Sequence, residues 1–199
     1  MIRIWRCRLL AGFALIILTG AMLTACQPYQ FRGTVLTEPK PIGDFRLARA
    51  DGGQFQLSAD PAMTYILFFG YTNCPDVCPL TMAQLKLAVE AMGDKAKSVQ
   101  VVFVTVDPER DTADVLTKYL ANFNPTFIGL YTPDVATLQG IVSDFGVYYE
   151  AESHDDHPDQ YLVDHTSAIL VVRDSKLLAV IPDDATHEEI AGDVEHLLP

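Results

Sequence analysis

Apolar runs and amphipathic stretches alternate along the chain from about residue 40 onwards. Residues 65–69 (YILFF) and 99–106 (VQVVFVTV) are almost entirely apolar, which predicts strands buried on both faces. Between them, apolar residues recur every three or four positions, which predicts an amphipathic helix that begins at Pro79 and ends at Gly93. Strand, helix and strand in this order predict a right-handed parallel unit.

The remaining periodicities predict three more helices, one short strand and two hairpins. The helices are expected at residues 115–123, at residues 133–145 and from Thr186 onwards. The short strand is expected at residues 127–130. The hairpins are expected at residues 44–57 and 167–181. This element order predicts an α/β fold: a thioredoxin-like central mixed sheet flanked by helices, with an N-terminal β-hairpin extension.

Three segments that are distant in sequence are expected to meet at one edge of this sheet. Sites in open α/β sheets form outside the carboxyl ends of the parallel strands. Residues 70–79 follow the first parallel strand, and residues 107–111 follow the second. His165 precedes a strand that is expected to run antiparallel to both, so its start lies at the same edge. Residues 150–160, rich in aspartate and histidine, are expected to form a loop.

The amino-terminal segment has the pattern of a bacterial lipoprotein signal. It has an arginine-rich start, an apolar stretch over residues 9–18, and the sequence LTAC ending at Cys26. The alternative is an uncleaved anchor helix, but the stretch is short for a span of about 20 residues. We therefore expect a signal peptide at 1–25, lipidation of Cys26, a tether with little structure at 26–40, and one domain at 41–199.

Net charge and the number of free cysteines restrict the partners and the type of site that the protein can have. The formal net charge is −12, and a cleaved leader would remove three arginines, so the mature surface is acidic and nucleic acid is not expected as a partner. Cys7 would leave with the leader and Cys26 would carry lipid, so Cys74 and Cys78 are the free thiols of the mature chain. In an oxidising compartment this pair forms a disulfide unless a metal or a reductant keeps it open.

Two cysteines at the start of a helix suit a soft metal. The positive end of the helix is expected to lower the thiol pKa and favour thiolates. Two thiolates with one imidazole, that of His165, suit trigonal Cu(I), or Cu(II) if a further donor is added. Zinc in a structural site normally takes four protein ligands, and the sequence offers no convincing fourth.

Three motifs occur in a fixed order: CPDVCP at residues 74–79, VDPERDT at 106–112 and YLVDHTS at 161–167. Together they resemble the Sco/SenC proteins, which are copper-binding assembly factors for cytochrome c oxidase. The resemblance covers about residues 40 to 199. It implies that Cys74, Cys78 and His165 are copper ligands, and that the two cysteines also form a redox disulfide.

The same resemblance implies a function, a partner and a location. The protein would deliver copper to the dinuclear copper site of oxidase subunit II, keep the cysteines of that site reduced, or serve another copper-accepting protein. It would act outside the cytoplasm, anchored to the membrane through lipid, and on the periplasmic side in a Gram-negative bacterium. It is expected to be a metallochaperone, with accessory thiol-disulfide reductase activity, more than an enzyme.

Polar residues of the second and third motifs have two interpretations each. Asp107, Arg110 and Asp164 could support the ligands by hydrogen bonding; Asp107 and Arg110 could equally form only a turn and a helix cap. His154 and His157 match no ligand of the family and lie among acidic residues, which favours a solvated loop.

A metal-free thiol-disulfide oxidoreductase that uses Cys74 and Cys78 is the competing function. Thioredoxin-type enzymes have two residues between their cysteines and a cis-proline before the facing strand. This chain has three intervening residues, and His165-Thr166 occupies the place of that proline, which favours metal binding. A peroxidase is not indicated, and a purely structural disulfide closing so short a loop would stabilise little.

Overall fold

The fold is built on one eight-stranded mixed sheet and a separate two-stranded ribbon. In the computed structural model, which describes residues 28–152 and 161–199, the strands are β1 (Thr34–Pro41), β2 (Arg46–Arg49), β3 (Gln54–Gln56), β4 (Thr64–Gly70), β5 (Val99–Thr105), β6 (Ile128–Tyr131), β7 (Tyr149–Ala151), β8 (Val163–His165), β9 (Ala168–Arg173) and β10 (Lys176–Pro182). The main sheet has the order β1-β10-β9-β4-β5-β6-β2-β3, and β7 pairs with β8 in the ribbon.

Four α-helices accompany the sheet. They are α1 (Val77–Met92), α2 (Ala113–Ala121), α3 (Val135–Phe145) and α4 (His187–Leu197). Helix α1 packs against α4, and α2 packs on β6. Short 3₁₀ helices at Leu57–Ala59 and Gly93–Ser98 lead into β4 and β5.

Strand β4 is the centre of the molecule. All seven of its residues are buried, and it pairs in parallel with β5 and antiparallel with β9. The large side chains of Phe68, Phe69 and Phe103 are fully buried in the core around it. Because β9 runs against β4, the residues just before β9 lie at the edge where β4 ends.

The predicted thioredoxin-like α/β fold is confirmed, including the parallel unit of β4, α1 and β5. Both hairpins are present, and the turn of the second places Asp174 and Ser175 at positive φ. Helix α3 ends at Gly146 in the left-handed conformation, which glycine adopts without strain. Thr186 and Glu189 form the predicted capping box of α4.

The expectation of little structure up to residue 40 is wrong from Thr34 onwards. Residues Thr34–Pro41 form β1, which pairs antiparallel with β10 at the edge of the main sheet. Two prolines and a mostly exposed surface hide this strand from a periodicity argument. Buried Asp193 accepts hydrogen bonds from the backbone N–H groups of Arg32 and Gly33, at 3.1 and 2.7 Å, which fixes the start of the strand.

Helix α1 begins at Val77, two residues before the predicted start at Pro79. The first N–H groups of a helix have no intrahelical carbonyl partner, so Pro79 sacrifices no hydrogen bond in the first turn. Leu80 N–H then donates to the Asp76 carbonyl at 3.3 Å. This earlier start places Cys78 within the helix.

Residues 31–199 form one compact unit, and residues 28–30 belong to another and contain no helix or strand. The predicted signal peptide, Cys26, His154 and His157 lie outside the described residues. Within residues 28–152 and 161–199, no helix has the length and apolarity needed to cross a membrane.

Candidate metal centre

The two cysteines lie where the chain passes from β4 into α1. Cys78 is in the first turn of the helix, and its side chain is completely buried. Cys74 lies in the preceding loop and is half-buried; its N–H donates to the Tyr71 carbonyl at 3.3 Å. The pair therefore has one sulfur in the core and one near the surface.

Gly70, the last residue of β4, makes room for the buried thiol. A Cβ atom built at this position would lie 2.9 Å from Cys78 Sγ and 3.0 Å from the ring of Phe68. Carbon atoms in ordinary contact are about 3.5–4.0 Å apart, so any side chain here would collide with the sulfur. The glycine is thus part of the architecture of the site.

His165 reaches the cysteines on the ribbon formed by β7 and β8. It is the last residue of β8 and pairs with Tyr149. Its imidazole ring packs edge-on against Tyr71, with centroids 5.8 Å apart, and against Phe68 at 6.2 Å. Aromatic side chains at the end of β4 therefore fix the plane of the histidine ring.

The structure brings Cys74, Cys78 and His165 into one cluster. Their potential ligand atoms all lie within 4.8 Å of one another, and Cys78 Sγ is 3.5 Å from His165 Nε2. Cys74 Sγ accepts a hydrogen bond from Cys78 N–H at 3.4 Å. In the part of the chain that the structure describes, no other group of three or more His, Cys, Asp or Glu side chains is arranged to hold a metal ion.

Desolvation shifts the pKa values of both Cys78 and His165. Burial raises the pKa of the Cys78 thiol far above its usual value, so the expectation of a lowered pKa at the helix end is wrong for this cysteine. Burial lowers the pKa of His165, partly opposed by the Thr166 carbonyl and by the charges of Asp164 and Asp183. Without metal, the site therefore holds a thiol and a neutral imidazole, and a bound metal must displace the Cys78 proton.

The orientation of the imidazole suits ligation through Nε2. His165 Nδ1 lies 3.3 Å from the carbonyl oxygen of Thr166. Protonated at Nδ1, the ring donates to this carbonyl and presents the Nε2 lone pair to Cys78. A backbone carbonyl is one of the acceptors that commonly orient a metal-binding histidine through its other ring nitrogen.

Asp111 fixes the cysteine loop from the side of β5. Its buried carboxylate accepts hydrogen bonds from Thr72 N–H at 3.0 Å, from the Thr72 hydroxyl at 2.5 Å and from the Thr105 hydroxyl at 2.6 Å. Val106 N–H also donates to the Gly70 carbonyl at 2.9 Å. Segments 70–79 and 107–111 were expected to converge, and direct hydrogen bonds connect them.

The three residues predicted to support the ligands differ in placement. Asp107 and Arg110 form an ion pair at 2.5 Å beside the site, and both contact Tyr161, four residues before His165. Asp164 is exposed in β8, and its charge opposes the lowering of the pKa of His165. Their supporting role stays a prediction, although the contacts of Asp107 and Arg110 extend beyond a turn and a helix cap.

Sequence reasoning did not single out Gly70, Thr72 or Tyr161. Each lies within or directly beside a motif that it did use, so position was the available signal. Gly70 matters through Cys78 and Phe103, which are 8 and 33 positions away, and Thr72 and Tyr161 matter through aspartates 39 and 54 positions away. A local pattern does not contain such contacts.

A cluster of two cysteine sulfurs and one imidazole, with Cys78 buried and the other two residues half-buried, favours a soft metal ion. Cu(I) accepts such a trigonal set, and Cu(II) accepts it with a further donor from solvent or a partner. A structural zinc site would need a fourth protein ligand, and the cluster contains three. The same two sulfurs are close enough for redox chemistry between a dithiol and a disulfide.

Comparison with known proteins gives consistent matches over most of the chain. The family model SCO1/SenC matches residues 35–199. The SCO2-like protein of Rickettsia felis is 32% identical over 184 residues, which cover 92% of this chain and 89% of the relative.

Solved structures agree with this match. The solution structure of apo Sco1 from Thermus thermophilus is similar with a TM-score of 0.78 and 38% identity, covering 87% of this chain and 100% of the other. Bradyrhizobium japonicum ScoI with copper bound is similar with a TM-score of 0.71 and 32% identity, covering 78% and 98%. Family model, relative and structures together show that the chain belongs to the SCO1/SenC family.

Proposed function

We propose that this protein binds copper through Cys74, Cys78 and His165 and takes part in assembly of cytochrome c oxidase. The observation that carries the proposal is the cluster of two sulfurs and one imidazole nitrogen within 4.8 Å, in a chain of the SCO1/SenC family. The copper-bound structure of the B. japonicum relative supports the choice of metal. The oxidase role rests on family membership.

The asymmetric burial of the site suits transfer of copper to another protein. Cys78 is buried, whereas Cys74 and His165 are half-buried. An incoming thiolate of an acceptor can approach the metal from the exposed side while Cys78 still holds it. Since three ligands leave a soft ion room for a fourth, exchange requires no prior unfolding of the site.

The finer part of the proposal concerns location and partner. The protein is tethered by lipid at Cys26 outside the cytoplasm, after removal of residues 1–25, and the residues that follow Cys26 connect the lipid to the domain. It delivers copper to the dinuclear site of oxidase subunit II, or keeps the cysteines of that site reduced. The lipobox pattern and the family resemblance support this part.

Thiol-disulfide exchange is the second candidate function, and one contact favours it. Cys78 N–H donates to the half-buried Cys74 sulfur at 3.4 Å, a contact that holds this accessible sulfur beside the buried one. Cys74 would attack a disulfide of the partner and form a mixed disulfide. Cys78 would then attack Cys74, closing the bridge here and leaving two thiols on the partner.

A copper titration tests the first function against the second. The reduced full chain in detergent is titrated anaerobically with Cu(I) against a competing chelator, and with Cu(II) followed by absorption and electron paramagnetic resonance. His165→Ala and Cys78→Ser are compared with His196→Ala, a histidine bonded to a carbonyl of its own helix.

Copper binding is expected at one equivalent. His165→Ala should weaken it by more than about tenfold and alter the spectrum, and Cys78→Ser should abolish the sulfur-to-Cu(II) charge-transfer band. His196→Ala should match the unmodified chain. Absence of stable copper, with rapid cycling of the cysteines against a protein disulfide, would instead assign the site to thiol-disulfide exchange.

A further inference from the structure

The strand that carries His165 is not part of the main sheet. Strand β8 pairs with β7 in a two-stranded ribbon, and the chain enters the main sheet only at β9, from Ala168 onwards. Its ladder hydrogen bonds therefore hold His165 to the ribbon and leave its distance from the cysteines to other contacts.

Tyr161, two residues before β8, makes three contacts with the loop that follows β5. Its hydroxyl donates to Asp107 Oδ1 at 2.6 Å, and its carbonyl accepts from Arg110 Nη1 at 2.9 Å. The Arg110 guanidinium carbon also lies 3.6 Å from the centre of the Tyr161 ring. Asp107 is 3% exposed and is paired with Arg110 through its other oxygen, so these contacts are charged, partly desolvated and strong.

The loop at residues 107–111 holds both halves of the metal centre. At one end, Asp111 binds Thr72 of the cysteine loop through the backbone and the side chain. At the other end, Asp107 and Arg110 bind Tyr161, four residues before His165. This loop at the end of β5 therefore links the thiols to the imidazole, in addition to the packing of the His165 ring on Tyr71 and Phe68.

We propose that Tyr161 is a positioning residue for His165. Its contacts with Asp107 and Arg110 hold the histidine-bearing strand against the cysteine loop, and so decide how completely His165 joins the two thiols around a metal. This inference rests on the proposed function, because it concerns a metal held by those three ligands. Tyr161 itself stays bonded to Asp107 and does not touch the metal.

The test is Tyr161→Phe, which removes one hydroxyl and keeps the ring beneath Arg110. The matched control is Tyr148→Phe, an exposed tyrosine directly before β7 whose hydroxyl donates a hydrogen bond to Glu150 of the ribbon. Thermal unfolding establishes that each variant is folded. Copper affinity and nitrogen hyperfine coupling are then measured in the full chain, alone and with His165→Ala.

Tyr161→Phe is expected to lower Cu(II) affinity about tenfold and to reduce the coupling from the imidazole nitrogen, whereas Tyr148→Phe leaves both unchanged. Combined with His165→Ala, Tyr161→Phe should have no further effect on affinity, because it acts through that ligand. Unchanged affinity and coupling in Tyr161→Phe, or an equal loss in the His165→Ala background, would overturn the proposal.

Amide hydrogen exchange on the metal-free chain gives an independent readout. Exchange at residues 162–166 should be faster in Tyr161→Phe than in the unmodified chain and in Tyr148→Phe. Equal rates in all three would show that Tyr161 does not hold the strand. If the unmodified chain fails to bind copper, the proposed function fails, and this comparison alone decides whether Tyr161 positions His165.

Discussion

Replacing Gly70 by alanine should damage the metal centre through a single methyl group. The added Cβ would lie 2.9 Å from Cys78 Sγ, 3.0 Å from Phe68 and 3.2 Å from Phe103. Ordinary contacts begin at about 3.5 Å, so the sulfur or the backbone must move by about 0.6 Å. Overpacking of a core costs about 1–3 kcal/mol, and the lower entropy of unfolded alanine returns about 0.4–1 kcal/mol.

Gly70→Ala is therefore expected to lower the free energy of unfolding by about 1–2 kcal/mol. Displacement of Cys78 Sγ changes its 3.5 Å separation from His165 Nε2, so copper affinity should fall by about tenfold. Urea unfolding of the metal-free chain and chelator competition measure the two effects separately.

Gly140→Ala is the matched control for this prediction. Gly140 is exposed in α3, and a Cβ built there has no atom within 4 Å. This variant should gain up to about 1 kcal/mol of stability from helix propensity and bind copper normally. Unchanged stability and affinity in Gly70→Ala would refute the claim that the site depends on a residue without a side chain at this position.

Two buried aspartates give further predictions, with exposed Asp114→Ala as the control for both. Asp111→Ala leaves the N–H of half-buried Thr72 without its acceptor and should cost about 1–3 kcal/mol in urea unfolding. Burial raises the pKa of Asp111, so its stabilising contribution is full below the unfolded value of 3.8 and is lost as pH rises through the folded pKa. The penalty of Asp111→Ala should therefore shrink as pH rises, and a constant penalty would contradict this. Asp193→Ala removes the acceptor that fixes Gly33 at the start of β1 and should cost about 2–3 kcal/mol; a cost below that of Asp114→Ala would show that β1 is not fixed by this contact.

The predicted elements that were correct are those with a strong local signal. Strand β4 is apolar at every position but its ends, and α4 begins with the capping box of Thr186. Strand β1 was missed because an edge strand with two prolines and an exposed surface has no hydrophobic period; its hydrogen bonds to β10 alone define it. Strands β7 and β8 were missed because three residues each are too few to show a period.

For the candidate site too, local motifs indicated some features and tertiary packing decided others. The motifs identified Cys74, Cys78 and His165, and the strand order predicted that their segments meet at one edge of the sheet. The pKa of Cys78 was predicted in the wrong direction, because a helix end favours the thiolate while complete burial opposes it. How deeply a side chain is buried depends on the packing of several elements.

The sequence by itself determined the order of helices and strands, the types of metal-donor side chain and the family resemblance, because each depends on residues close together in the chain. Only the tertiary structure decided the distances between donors, the room that Gly70 leaves for sulfur and the bond from Tyr161 to Asp107. The Cys78–His165 distance and the Tyr161–Asp107 hydrogen bond join side chains 87 and 54 positions apart, brought together when the chain buries β4. Local sequence patterns specify which side chains are present, and long-range packing fixes their positions relative to one another.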